Sequence, residues 1–241
     1  MPINLTPMKF DTSTRLLIVA AHPDDEILAC GGTLSLAIEK GATVRVLFLG
    51  EGISARFPIN EYDSEEFRVQ TELRLEGAKK AMKSLGVKDV TYGIRLCCQF
   101  DKLPILSIVK EIESHIESFK PNMLFTHDCS EVNIDHRILY EAVEIACRPT
   151  RPTTPREIYS FEVVCSGNWT FDTSFKPNVF VDIESQWEKK LAAWKCYQGE
   201  DRPFPFPRSV EGLKTLAQFR GMASGIKKAE AFRLLRKVML G

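Results

Sequence analysis

The chain reads as an α/β protein with a Rossmann-like, doubly wound and mainly parallel sheet, extended at its C-terminus by further strands and helices. Three observations predict this. Short apolar runs of strand length alternate with longer segments of helical spacing through residue 148, the pattern of βαβ units. The runs are continuous rather than alternating, as suits strands buried on both faces. Two of them stop abruptly on clusters of chemically active side chains, and open α/β sheets gather ligands at the carboxyl ends of their strands.

Leu16 to Ala21 is the first strand, ending on His22-Pro23-Asp24-Asp25-Glu26, and Ile27 to Gly41 is a helix stopped by its last glycine. Val44 to Leu49 is the second strand, closed by Gly50-Glu51-Gly52, with a loop over Ile53 to Asn60. Asp63 to Leu85 carries Phe67, Leu73, Ala78, Ala81 and Met82 at helical spacing, and Gly86 ends it. A third strand over Val87 to Tyr92 and a helix over Pro104 to Phe119 follow. The fourth strand, Pro121 to Thr126, runs directly into His127, and a helix continues through Leu139, Ala142, Val143 and Ala146. Beyond Arg148 the Pro/Thr cluster Pro149 to Pro155 is a linker. Strands are expected at Glu157 to Val164 and Asn178 to Ile183, and helices at Ser185 to Tyr197, Val210 to Met222 and Lys227 to Met239. The last of these has Phe232, Leu235, Val238 and Met239 available for a core or an interface. We read 1–241 as a single domain, with the core and metal chemistry in 1–148 and a cleft-walling extension in 149–241.

Composition narrows the function. Thirty-two basic residues balance 32 acidic ones, which argues against a nucleic-acid track or an anionic membrane surface and favours a small-molecule partner. The seven cysteines form no Cys-x-x-Cys pair, so reduced thiols in a cytoplasmic protein are expected. Met1 to Phe10 lacks the pattern of a secretory leader, and no apolar run approaches the roughly 18 residues that span a bilayer. The first strand leads into His-Pro-Asp-Asp and not a Gly-x-Gly-x-x-Gly phosphate cradle, which disfavours a dinucleotide enzyme.

Three of the four histidines stand at 22, 127 and 136. In a strand order 3-2-1-4-5 the first and fourth strands are neighbours, so His22, Asp24 and Asp25 should meet His127, Asp135 and His136. Two imidazoles and a carboxylate with a fourth position left to water make a hydrolytic zinc site, and we assign His22, Asp25 and His136 to the metal, zinc or another divalent transition ion. Zinc brings the pKa of its water to about 7. Asp24 cannot point the same way as its neighbour Asp25 and is free to act as general base. His127 is the remaining histidine near enough to donate a proton to a leaving amine or to stabilise an oxyanion. Asp135 is placed to orient a histidine ring, and Asn133 beside it to cap the following helix. Each assignment has a structural rival: aspartates capping a helix start, His136 as an ordinary helix residue, His127 as a strand-end hydrogen bond. His115, mid-helix, reads as solvated, and Cys97, Cys98 and Cys129 as packing or loop thiols.

Ala21-His22-Pro23-Asp24-Asp25-Glu26 with Gly31-Gly32-Thr33, together with Asn133-Ile134-Asp135-His136-Arg137, resembles the LmbE/PIG-L family of zinc-dependent N-acetylsugar deacetylases. The likeness extends through Gly50-Glu51-Gly52 and Phe100-Asp101, and Phe175 to Asn178, Pro207-Arg208-Ser209 and Arg220-Gly221 resemble a bacterial branch. It implies release of acetate from an N-acetylglucosamine-type sugar or glycoconjugate, and a homo-oligomer, trimer or hexamer. It maps the metal ligands onto His22, Asp25 and His136, the base onto Asp24, and sugar contacts onto Arg56 and Asp101. Two positions depart: Asn133 stands where better-known members carry a proposed acid histidine, and Phe206 where related sequences carry histidine. His127 is the expected replacement acid. The alternatives are a zinc amidase for a larger N-acyl group and a non-catalytic nucleotide-sugar-binding protein of the same fold.

Overall fold

The computed structural model describes residues 8–172 and 174–239; residues 1–7 of the segment read above for a leader lie outside them. The chain runs β1 (Arg15–Ala20), α1 (Asp25–Glu39), β2 (Thr43–Gly50), α2 (Glu65–Leu85), β3 (Asp89–Arg95), α3 (Ile105–Phe119), β4 (Met123–His127), α4 (Ile134–Ala146), β5 (Glu157–Phe161), β6 (Val179–Asp182), α5 (Trp187–Trp194), α6 (Val210–Ser224) and β7 (Ala229–Lys237). The sheet order is β3-β2-β1-β4-β5-β7-β6. The first four pairings are parallel, and β7 lies antiparallel to both β5 and β6. The order reverses between β1 and β4, which is where the two reactive loops emerge side by side.

The continuous apolar runs are explained by cover on both faces. Leu16, Ile18 and Ala20 point into one layer with Val46, Phe48, Phe125 and Phe161, packed beneath α1, α2, α5 and α6. Leu17 and Val19, one residue out of phase, point into the other with Leu47, Leu49 and Leu124 beneath α3 and α4. Burying each such leucine or phenylalanine contributes ~1.5–3 kcal/mol.

The segment expected as a helix over Lys227 to Met239 is instead the strand β7. Ala, Glu, Leu, Arg and Lys favour a helix locally, but β7 fills the slot between β5 and β6 and saturates the ladders on both sides. Phe232 is accordingly fully buried in the core and not on an interface face. One buried residue of β7 also explains Gly31-Gly32-Thr33. The backbone of α1 leaves helical geometry at Cys30 (φ −140°, ψ 20°), freeing the N–H groups that follow. Glu230 accepts from Gly32 N at 2.8 Å and Thr33 N at 2.7 Å, and the Lys190 ammonium, 2.6 Å away, balances its charge. Gly32 is required for contact: a Cβ there would lie 2.8 Å from Ile183 Cβ. Residues beyond 148 therefore extend the same sheet, and they brace the helix that carries Asp25.

Candidate active site

β1 ends at Ala20 and β4 at His127, and the loops beyond them converge. Ligand atoms of His22, Asp25 and His136 all lie within 4.8 Å of one another, and all three residues are buried. Asp25 sits at the centre. Its Oδ2 lies 3.6 Å from His22 Nδ1 and 3.4 Å from His136 Nε2, and accepts the His22 N–H at 2.9 Å. Burial opposes its ionisation, but the His136 and His127 rings outweigh burial and hold the carboxyl well below the usual range.

Each candidate ligand ring is oriented by its own carboxylate. His22 turns Nε2 onto Asp135 Oδ2 at 2.9 Å, leaving Nδ1 toward Asp25. Asp135 is itself fixed by the N–H groups of Cys98 at 2.5 Å and Phe100 at 3.0 Å. His136 turns Nδ1 onto Glu131 Oε2, and its buried Nε2 has no hydrogen-bond partner among the described residues. Burial alone would depress both rings. For His22, hydrogen bonds to Asp135 and Asp25 reverse this and raise it to about 9; for His136, the charges of Asp25 and Glu131 raise it to about 10. Two imidazole nitrogens and a carboxylate oxygen with carboxylate-fixed rings suit a divalent transition ion, and the unpartnered Nε2 of His136 is the donor such an ion would use.

Gly50-Glu51-Gly52 shapes the wall behind His22. Gly52 has φ +82°, and a Cβ there would come within 3.2 Å of His22 Cβ. Glu51 accepts from Ile53 N at 2.7 Å, Ser54 N at 3.0 Å and Cys97 N at 3.0 Å, tying the two rim loops together.

Asp24 points away from Asp25, as its position in the sequence requires. Its φ of 119° is a strained value for a side-chain-bearing residue, held by Glu26 Oε2 accepting its N–H at 2.9 Å. Burial pushes the Glu26 carboxyl up to about 8, and the Tyr197 hydroxyl donates to its other oxygen at 2.6 Å. Two guanidiniums hold the Asp24 side chain: Arg74 from α2, and Arg208 at 2.9 Å from the loop before α6. Both donate to Oδ2, and Oδ1 has no hydrogen-bond partner among the described residues. Glu200 completes the network, paired with Arg74, with Arg208 at 3.3 Å and with Arg56 at 2.8 Å.

His127, the expected acid, packs against the candidate ligands. It is fully buried; Nε2 accepts the Ala21 N–H at 3.0 Å, and Nδ1 faces Glu131 at 3.3 Å. Burial and the neighbouring His136 lower its pKa, and with Nε2 accepting from Ala21 a ring proton sits on the Glu131 side. It stacks on His136 with centroids 3.8 Å apart, and its Nε2 lies 3.4 Å from Asp25 Oδ2. Asn133 caps α4, accepting the Asp135 N–H at 2.9 Å. Arg56 reaches the network at the rim, while Asp101, in the short turn Phe100–Lys102, is exposed. His115, read as solvated, is half-buried, and burial lowers its pKa.

Sequence reasoning missed Glu131, Arg74, Glu200 and the pairing of Arg208 with Asp24. Glu131 lay inside the second motif; the signal was an acid four residues after one histidine and five before another. The three others come from distant segments and left no local signal.

Residues 17–147 match the family model described as PIG-L, GlcNAc-PI de-N-acetylase. Diacetylchitobiose deacetylase of Thermococcus kodakarensis is 29% identical over 96% of this chain and 86% of its own length. Among solved structures, N,N'-diacetylchitobiose deacetylase from Pyrococcus horikoshii superposes with a TM-score of 0.73 at 22% identity, covering 92% of this chain and 84% of that one. The 4-carboxy-2-hydroxymuconate hydratase GalB from Pseudomonas putida KT2440 shares the fold, with a TM-score of 0.70 at 22% identity over 95% of this chain and 98% of that one.

Proposed function

Since the chain belongs to the PIG-L family, we propose that it is a zinc-dependent amidohydrolase that removes the N-acetyl group from an N-acetylglucosamine-type sugar or glycoconjugate and releases acetate. The observation that carries this is the buried meeting of His22, Asp25 and His136, with a His136 Nε2 that has no hydrogen-bond partner among the described residues, next in the chain to an Asp24 whose carboxylate Arg74 and Arg208 hold. Zinc held by these three residues would supply a nucleophile at neutral pH and polarise the acetyl carbonyl.

The remaining work falls to the protein. Arg74 and Arg208 pin one oxygen of Asp24, which presents Oδ1 to accept the proton of the attacking water. With Asn133 committed to a helix cap and both nitrogens of His127 engaged, the same Asp24 carboxyl returns that proton to the departing amine. Arg208 has a buried Nε with no partner among the described residues, a donor for the developing oxyanion or a sugar oxygen. We assign the outer sugar hydroxyls to Arg56 and Asp101 at the rim.

The test is acetate release from N-acetylglucosamine, N,N'-diacetylchitobiose and nucleotide-linked N-acetylhexosamines, with zinc-loaded and chelator-stripped protein. Zinc-dependent release supports the reading. Faster cleavage of longer N-acyl groups would favour the amidase alternative. Bound zinc without hydrolysis of any of them would favour a binding protein.

A further inference from the structure

The loop between β3 and the Phe100 turn carries adjacent cysteines whose sulfurs lie 3.8 Å apart, and no other thiols are in contact among the described residues. The two differ in access: Cys98 is exposed and Cys97 buried. Cys98 also holds a left-handed backbone, φ 57°, unusual for a residue with a side chain. The peptide joining them is part of the candidate active site, because its N–H, that of Cys98, donates to Asp135 Oδ2 at 2.5 Å. The same Asp135 oxygen holds the His22 ring at 2.9 Å. On the other side the Cys97 N–H is held by Glu51 Oε1 at 3.0 Å and Ser54 Oγ at 2.6 Å.

We propose that Cys97 and Cys98 form an oxidisable thiol pair whose closure to a disulfide loosens the support of His22 and so weakens metal binding. This rests on the zinc reading of the site. A peroxide oxidises the accessible Cys98 thiolate to the sulfenic acid, and hydroxide leaves. The Cys97 sulfur then attacks the Cys98 sulfur, the S–S bond forms and water departs. In sum the two thiols lose two protons and two electrons, and one peroxide becomes two waters. The sulfurs must close from 3.8 Å to about 2 Å, which the linking backbone has to follow. The Cys98 amide lies inside the eight-membered ring so formed, so its bond to Asp135 cannot keep its present geometry. Neighbouring Cα atoms are only about 3.8 Å apart, closer than disulfides prefer, which makes the bond readily reduced and the effect reversible.

Two readouts test this, neither requiring turnover. Full-length protein is treated with hydrogen peroxide, the remaining thiols are alkylated, and the 97–98 peptide is examined by mass spectrometry. In parallel, zinc affinity is measured by chelator competition before oxidation, after it, and after dithiothreitol. The expected result is loss of two hydrogens in that peptide, a fall in zinc affinity of about tenfold or more, and recovery on reduction. Cys97→Ser and Cys98→Ser should each lose the response, and Cys129→Ser should keep it. Two alkylatable thiols after peroxide, or a formed linkage with unchanged zinc affinity, would overturn the proposal. A reduced protein that forms the linkage yet never binds zinc would overturn the coupling and place the fault in the metal reading.

Discussion

Replacing Glu131 by glutamine isolates the support of one candidate metal ligand at nearly constant volume. Both Glu131 oxygens are in use: Oε2 takes His136 Nδ1 and, at 3.3 Å, His127 Nδ1, while Oε1 accepts from Val163 N. Glutamine has one acceptor oxygen. If that oxygen stays on Val163, the amide NH2 faces His136 and forces Nδ1 to accept, moving the ring proton to Nε2. That nitrogen is the one 3.4 Å from Asp25 Oδ2, and once protonated it cannot ligate a metal. If the amide turns over, Val163 loses its buried acceptor at a cost of ~1–3 kcal/mol. That cost favours the first arrangement, so zinc affinity should fall about 10- to 100-fold, the range for losing a partner behind a ligand, which corresponds to ~1.4–2.8 kcal/mol. Competition against a chromophoric chelator reads this, with circular dichroism to establish that the variant is folded. A folded Glu131→Gln protein with wild-type zinc affinity would refute the reasoning.

Asp24→Asn should lower acetate release by about 10²–10⁴-fold while zinc, measured by metal analysis, stays bound; retained turnover would remove Asp24 from the mechanism. Glu230→Ala strands the Lys190 ammonium, which is 4% exposed, and the Gly32 and Thr33 N–H groups. Breaking such a buried pair costs ~3–5 kcal/mol, or a fall in Tm of about 6–20 °C by calorimetry. Glu200 gives a pH dependence: burial raises its pKa, but Arg56, Arg74 and Arg208 prevail and lower it from 4.5 to about 2. A depressed carboxylate contributes stability above its unfolded value that is lost as pH falls through its folded one. The Tm gap between wild type and Glu200→Gln should therefore be widest above pH 4.5 and shrink toward pH 2; a gap constant across that range would contradict the arginine pairing.

The core of this molecule was legible because apolar runs such as Leu16 to Ala20 are long enough to need cover on both faces, and parallel pairing follows from the helices between them. The strand order then placed His22 and Asp25 beside His136 without any knowledge of side-chain geometry. β7 was not legible. Glu230-Ala231-Phe232-Arg233-Leu234-Leu235-Arg236 has the composition of a helix, and only the open position between β5 and β6 makes it a strand. His127 shows a second limit: proximity to the ligands was predictable, but not that Ala21 N–H and Glu131 would occupy its two nitrogens. The guanidiniums on Asp24 come from positions 74 and 208, which no local spacing connects.

Diffraction from zinc-soaked crystals at energies on either side of the zinc absorption edge addresses the centre of the matter. One anomalous peak bonded to His22 Nδ1, an Asp25 oxygen and His136 Nε2, with Asp24 Oδ1 facing the open coordination position, is the expected result. A peak held instead by Cys97 and Asp135, or none in protein that releases acetate in zinc, would contradict it.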